Sequence, residues 1–251
     1  MKLLHVILSI LQIVWKILFL LNFAISLILL YPFFYFLLRK ERNYPKAFFL
    51  TKLWAYWLFI IPGVWISVKR RVGRKELERS CVYCSNHTSF LDIMYCYIII
   101  PNYFVSIPKK ELGKIPLFNI LIEKLNIPLD RKSKISSYKA FSTAGEYLDK
   151  GVSVFIFPEG TISRSAPQMG KFKNGAFKLA IEKQVPIVPI TFLNNWKILE
   201  ATSFFKGNAH PGIAHSIIHA PIETKGMTLD NLGFLSEKVY SIINADLTKS
   251  R

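Results

Sequence analysis

From Ile17 to Leu38 the chain carries no charged side chain. A helix needs about 20 apolar residues to cross a bilayer, so this run is long enough to do so. A second uncharged run, Leu53–Val68, is shorter and is broken by Pro62-Gly63, which places it in the membrane interface rather than across the bilayer. Trp54, Tyr56, Trp57 and Trp65 suit that level, where one edge of a ring is wet and the other apolar, although core packing uses the same residues. A cleaved signal peptide is the competing reading of the N-terminus. Against it, Lys16 interrupts the apolar stretch and no small-residue cleavage site follows.

Basic residues bracket the second run: Arg39, Lys40, Arg42 and Lys46 before it, then Lys69, Arg70, Arg71, Arg74 and Lys75 after it. Full crossing would put one cluster outside, against the positive-inside tendency, so both clusters and the globular part are expected on the cytoplasmic face. The net charge of +17 agrees, since anionic lipid attracts each juxtamembrane cation by about 1 kcal/mol. Nucleic acid is the rival anion. It is disfavoured because the aromatics gather in the membrane segments, away from the basic residues of the globular part.

Cys81, Cys84 and Cys96 are odd in number and sit in apolar surroundings, which argues against a disulfide framework. Cys81-x-x-Cys84-x-x-His87 lacks a second ligand pair, and an odd separation along a strand points the two thiols to opposite faces, so no metal is expected.

A hydrophobic content of 51% is ample for a core. Beyond about residue 76, the segments Cys81–Ser85, Tyr103–Ile107, Asn126–Leu129, Val152–Phe157, Ile187–Phe192 and Ile213–His219 read as short strands. Ile135–Leu148, Ala176–Glu182 and Leu232–Ile243 carry helical stripes between and after them. The pattern predicts an α/β fold, a mixed and partly parallel sheet flanked by helices, in residues 76–251. Residues 1–75 form a preceding hydrophobic helical membrane module.

Two short motifs bear chemistry. In Asn86-His87-Thr88-Ser89-Phe90-Leu91-Asp92 a histidine follows a strand, and Thr88 or Ser89 can cap a helix beginning near Phe90. If His87 folds back from the turn toward Asp92, it can accept a hydroxyl proton while the carboxylate fixes its tautomer. Taken alone, the motif is better read as Asn86, His87 and Thr88 capping a helix and satisfying a strand end. In Phe157-Pro158-Glu159-Gly160-Thr161 a buried strand surfaces, Pro158 ends its pairing and Gly160 allows close approach of a ligand. Glu159 there needs a partner, and Arg164, Lys171 and Lys173 follow.

Residues 80 to 195 resemble the glycerolipid acyltransferases typified by 1-acylglycerol-3-phosphate (lysophosphatidate) acyltransferase. The resemblance implies that His87 and Asp92 are the catalytic pair. It matches Lys109-Lys110-Glu111-Leu112, Ile115-Pro116 and Leu129-Asp130-Arg131 to a second block, in which Lys109 and Arg131 bind phosphate. Phe157–Thr161 matches a third block, whose glutamate and glycine, here Glu159 and Gly160, contact the acceptor. Phe172–Phe177 and Val185–Pro189 match segments that complete the site. The chain departs from the pattern at Ile162, where the family usually has an arginine, with Arg164 two residues on, and at Leu125, where a glycine often begins the second block.

By the same resemblance the donor is acyl-CoA or an acylated carrier protein, the acceptor a lysolipid, and no cofactor is required. Glu159, Gly160, Thr161 and Arg164 join Lys109 and Arg131 as expected substrate contacts. A thioester is already activated, and no Gly-x-Ser-x-Gly elbow occurs, so direct attack by the acceptor hydroxyl is the simpler route. Phosphatidate is the expected product. Two other readings stand beside it: a different lysolipid acceptor, for example one containing an amino acid, and a non-catalytic basic lipid-binding protein tethered to the membrane.

Overall fold

A computed structural model describes residues 2–202 and 204–249. Its first element, α1 (Lys2–Leu37), is one long helix containing Pro32 and all of the first uncharged run but its last residue, Leu38. Among the described residues it is the one helix long and apolar enough to cross a membrane. It pairs with α2 (Tyr44–Ile60), which begins with proline in its first turn. Trp54 lies at the centre of that pairing, 1% exposed, its indole N–H donating to Ser26 Oγ at 2.8 Å and its ring beside Phe23, Phe34 and Phe118. Its expected place at the headgroup level is therefore corrected: Trp54 packs in the core, whereas Trp57 and Trp65 are exposed.

The second uncharged run does not act as one segment. It ends its helix before Pro62-Gly63, turns at Gly63 with φ of +78°, and resumes as β1 (Val64–Arg70). That strand belongs to the sheet, where Val64 faces the core and Trp65 faces out. The division at residue 75 therefore does not separate the sheet from the helices before it. Membership of the sheet, with Val64 buried and Ile66 and Val68 packed against the core, accounts for the apolar content of residues 64–68.

Then follow β2 (Val82–Ser85), α3 (Leu91–Ile99), β3 (Phe104–Ser106), α4 (Asn119–Lys124), α5 (Lys134–Asp149), β4 (Ser153–Ile156), α6 (Gly175–Lys183), β5 (Ile187–Phe192), the single-turn α7 (Asn195–Ile198), β6 (Gly212–Ile218) and α8 (Leu232–Lys249). The three helices read from the sequence fall inside α5, α6 and α8. Ser133 caps α5, its Oγ accepting from Ser136 N at 3.1 Å.

The sheet order is β1-β6-β5-β2-β4-β3. The strands β5, β2, β4 and β3 run parallel, β6 is antiparallel to β5, and β1 is parallel to β6. Central strands β2, β4 and β5 are buried on both faces, which is why they read as continuous apolar runs. Tyr83, Phe155 and Phe192 face a core closed by α2 and α3, and Val82, Cys84 and Val154 face one closed by α5, α6 and α8. Cys81 and Cys84 lie in these opposite cores.

The expected strand Asn126–Leu129 is not a strand. Ile127 N donates to Ser106 O and Leu129 N to Pro108 O, both at 2.9 Å, but Pro108 has no N–H to return a bond to Ile127 O, so the ladder from β3 is broken there. What remains is one bridge, Lys109 with Leu129.

A buried polar cluster pins α8 to the sheet. His219 Nε2 meets Thr191 Oγ1 at 2.8 Å and lies 3.5 Å from Asp246, while Arg71 binds Asp246 at 2.6 Å and approaches His219 Nδ1 at 3.4 Å. Burial pushes the His219 pKa down to about 4, with Asp246 opposing and Arg71 assisting. The fold thus holds His219 neutral. Its contribution is fully present above the free value of about 6.5 and is lost as pH falls toward 4. Thermal unfolding followed by circular dichroism should show Tm dropping between pH 6.5 and 4, with a shallower drop in His219→Gln. Equal slopes would contradict a neutral buried imidazole.

Candidate active site

Three adjacent parallel strands, β5, β2 and β4, end at the same edge of the sheet, and the polar residues cluster just beyond their carboxyl ends. Ligand crevices in open α/β sheets form at that edge. After β2 comes the turn 86–90, after β4 the turn 157–161, and after β5 comes α7.

The first turn is fixed on every side. The Asn86 amide pairs twice with the Phe192 backbone, at 2.8 and 2.9 Å. His87 N donates to Glu159 Oε1 at 3.0 Å, and His87 O accepts from Ser163 N at 2.8 Å. The His87 ring stacks on Phe157, with centroids 3.8 Å apart and planes within 13°. Ser89 Oγ donates to Leu199 O at 2.6 Å and accepts from Leu91 N at 3.1 Å, opening α3.

His87 and Asp92 meet as expected. The ring Nδ1 lies 3.0 Å from Asp92 Oδ2, with Asp92 fully buried. The same oxygen accepts from Thr88 N at 2.6 Å and Ser89 N at 2.9 Å, and Oδ1 accepts from Asn195 Nδ2 at 2.7 Å. A carboxylate with four donors around it stays in place, and as an acceptor it requires the proton on Nδ1. Nε2 is then left with a free lone pair, ready to take a proton. Asn195 is the functional residue that the sequence reading missed. It stands in a four-residue helix distant in sequence from Asp92, and no local motif marks it.

His87 forms part of the wall of a cavity of about 370 Å³. Its lining from α2, α3 and α4 is largely apolar and includes Trp54, Met94, Cys96 and Leu121. Lys109, Arg131, Thr161, Ile162 and Arg164 line it as well. The bridge from Lys109 to Leu129 brings Lys109 and Arg131 together. Lys109 also lies 3.5 Å from Glu111, and burial lowers the Arg131 pKa with Glu111 opposing. Arg131 and Arg164 have no ion-pair partner among the described residues.

Glu159 and Gly160 stand elsewhere. Both oxygens of Glu159 are used by backbone, Oε1 by His87 N and Oε2 by Gly170 N at 2.7 Å, and the side chain is buried. Burial pushes its pKa up, while those two amides oppose the shift. These bonds fasten the histidine turn to the loop after β4. Gly160, with φ of +71°, forms part of a smaller cavity of about 150 Å³ with Lys173 and Ser137, on the other side of Phe157 and Arg131. A Cβ at Gly160 would come within 2.8 Å of Lys173 Nζ.

The acyltransferase family model matches residues 67–193, which include His87, Asp92, Lys109, Arg131, Glu159 and Arg164 but not Asn195 or Leu199. Among curated proteins, a chloroplastic 1-acyl-sn-glycerol-3-phosphate acyltransferase of Brassica napus is 35% identical over 204 residues, 79% of this chain and 57% of that protein. Its Arabidopsis thaliana counterpart is 36% identical over 69% of this chain and 48% of that protein. This chain therefore spans only about half the length of these two relatives. A 1-acyl-sn-glycerol-3-phosphate acyltransferase of Haemophilus influenzae is 26% identical over 79% of this chain and 81% of its own length. The fold matches the crystal structure of the 1-acyl-sn-glycerophosphate acyltransferase PlsC from Thermotoga maritima with a TM-score of 0.79, at 21% identity and 96% coverage of both chains.

Proposed function

The chain belongs to the acyltransferase family, and on that premise we propose that it transfers a fatty acyl chain from a thioester donor to the free hydroxyl of 1-acylglycerol-3-phosphate, giving phosphatidate. The observation that carries this reading is that His87, held by Asp92, lines a cavity walled both by apolar side chains and by the cations Lys109, Arg131 and Arg164. An acyl chain suits the first and a phosphate the second.

In this mechanism the acceptor hydroxyl lies between His87 Nε2 and the thioester carbonyl carbon. His87 takes the hydroxyl proton as the oxygen attacks, and Asp92 stabilises the imidazolium. The new C–O bond forms, the C–S bond breaks, and the thiol leaves with the proton returned by His87. No protein nucleophile is needed, because the thioester is already activated. Lys109, Arg131 and Arg164 hold the anionic headgroup, with Thr161 beside them.

A membrane location fits the helices. The stretch of α1 long enough to cross a bilayer is also the stretch packed along α2 and α4, through Asn22, Phe23, Ser26 and Phe34. That packing supports a helix pair seated in one leaflet, with both basic clusters and the α/β domain on the cytoplasmic side.

A second acceptor class is favoured by one observation: Ile162 sits in the cavity wall where the family usually has a cation. Purified enzyme offered a panel of lysolipids with acyl-CoA or acylated carrier protein, and read by lipid mass, should give phosphatidate from lysophosphatidate. No turnover of lysophosphatidate, with turnover of another lysolipid, would overturn the acceptor assignment. Ile162→Arg is expected to lower KM for phosphate-bearing acceptors by about tenfold, the effect of one charge-assisted contact.

A further inference from the structure

Lys16 is the only charged residue of α1 between Lys2 and Arg39, yet it is 5% exposed. A buried ammonium has three donors to satisfy. Here three carbonyls receive them: Gly207 O at 2.8 Å, Phe204 O at 2.9 Å and Lys206 O at 3.2 Å. No carboxylate lies within ion-pair distance among the described residues; the ammonium's hydrogen bonds go to backbone, and the Glu200 carboxylate of the same loop acts on it only through its charge. The three carbonyls lie toward the tip of the loop between α7 and β6, far away in sequence.

That loop closes on itself and then on the catalytic turn. Glu200 N donates to Asn208 O at 3.0 Å, Asn208 N to Glu200 Oε2 at 2.9 Å, and Leu199 bridges Ala209. At its base, Leu199 O accepts from Ser89 Oγ at 2.6 Å, Glu200 forms an antiparallel bridge with Ser89, and Ala201 lines the cavity. One helical turn earlier, Asn195 holds Asp92. Next to Lys16, the Trp15 indole donates to Pro62 O at 2.9 Å, and Gly63 O in that turn accepts from Gly212 N at 3.1 Å, just before β6 leaves the same loop. A continuous set of bonds thus runs from α1 to the residues that set the His87–Asp92 geometry. Phe205, exposed at the loop tip beside α1, gives the loop an apolar contact for the lipid surface.

We propose that Lys16 is a positioning residue: by clasping the tip of the 199–209 loop it couples the seating of the membrane helix to the geometry of the catalytic turn. The coupling rests on the acyl-transfer reading for its effect on turnover, but not for its structural readout. With α1 properly seated in lipid, the loop is held, Ser89 is held by the loop, and the amides of Thr88 and Ser89 stay aimed at Asp92. If α1 is displaced, the loop loses its clasp and the turn loosens.

The test is hydrogen exchange on the full chain in nanodiscs, together with turnover. Lys16→Met is expected to speed exchange across residues 199–209 and at the amides of Thr88 and Ser89, while amides of β4 stay unchanged. It is also expected to lower kcat ~10- to 100-fold, the scale of a small misplacement of catalytic groups, with little change in acceptor KM. Lys16→Arg, which keeps a cation with several donors, should recover most of both. Faster exchange in the loop with Thr88, Ser89 and kcat untouched would overturn the coupling. Should the methionine variant not fold, wild-type protein moved from nanodiscs to a short-chain detergent gives the same reading. Loop and turn amides should loosen together, and loosening of the loop alone would overturn the proposal. If no protein turns over lysophosphatidate, the functional reading fails while the exchange data still decide this one.

Discussion

Replacing His87 with alanine is expected to lower kcat for acyl transfer by ~10²–10⁴, the range for loss of a positioned general base. In the proposed reaction the imidazole receives the hydroxyl proton, since its Nδ1 faces Asp92 and Nε2 is left toward the acceptor. The fold should persist. Asp92 keeps the amides of Thr88 and Ser89 and the Asn195 side chain, and the backbone of residue 87 keeps Glu159 and Ser163. The variant should therefore melt within a few degrees of wild type and bind lysolipid with similar affinity. Steady-state turnover with acyl-CoA and lysophosphatidate, alongside thermal melts, checks both halves. Turnover equal to wild type would remove His87 from the chemistry and favour a basic, membrane-tethered binding protein.

How much of this site was legible beforehand depends on the range of the interactions that build it. The strands β2, β4 and β5 could be read because burial on both faces makes them short unbroken apolar runs. The His87–Asp92 pair was legible as a motif, but its geometry depends on Thr88 and Ser89 presenting two amides to one carboxylate oxygen. Asn195 was hidden because its value comes from the sheet order, which sets the end of β5 beside the end of β2. Trp54 and Val64–Val68 misled for a related reason. Apolar residues look alike whether they face lipid or a core, and tertiary contacts decide which. Glu159 shows the converse: a buried carboxylate was expected to need partners, and two backbone amides distant in sequence supply them.

Asp92→Asn is expected to lower kcat by ~10²–10⁴ while the protein still folds, and the reason lies with Asn195. Asp92 Oδ2 faces three donors and Oδ1 faces one, the Asn195 amide nitrogen. An asparagine at position 92 can keep its oxygen toward the three donors if its new NH₂ finds an acceptor on the other side. Asn195 can supply one, because its Oδ1 is buried with no hydrogen-bond partner among the described residues and a flip of its amide would turn that oxygen toward residue 92. The geometry then survives, and what is lost is the negative charge that stabilises the imidazolium as the proton arrives. Because both residues act on the same proton, the double variant His87→Ala with Asp92→Asn should be no slower than His87→Ala alone. Kinetics of the three variants, measured beside their melting temperatures, test this. Losses that multiply in the double variant would mean that Asp92 acts on the reaction independently of His87, and the dyad would have to be abandoned.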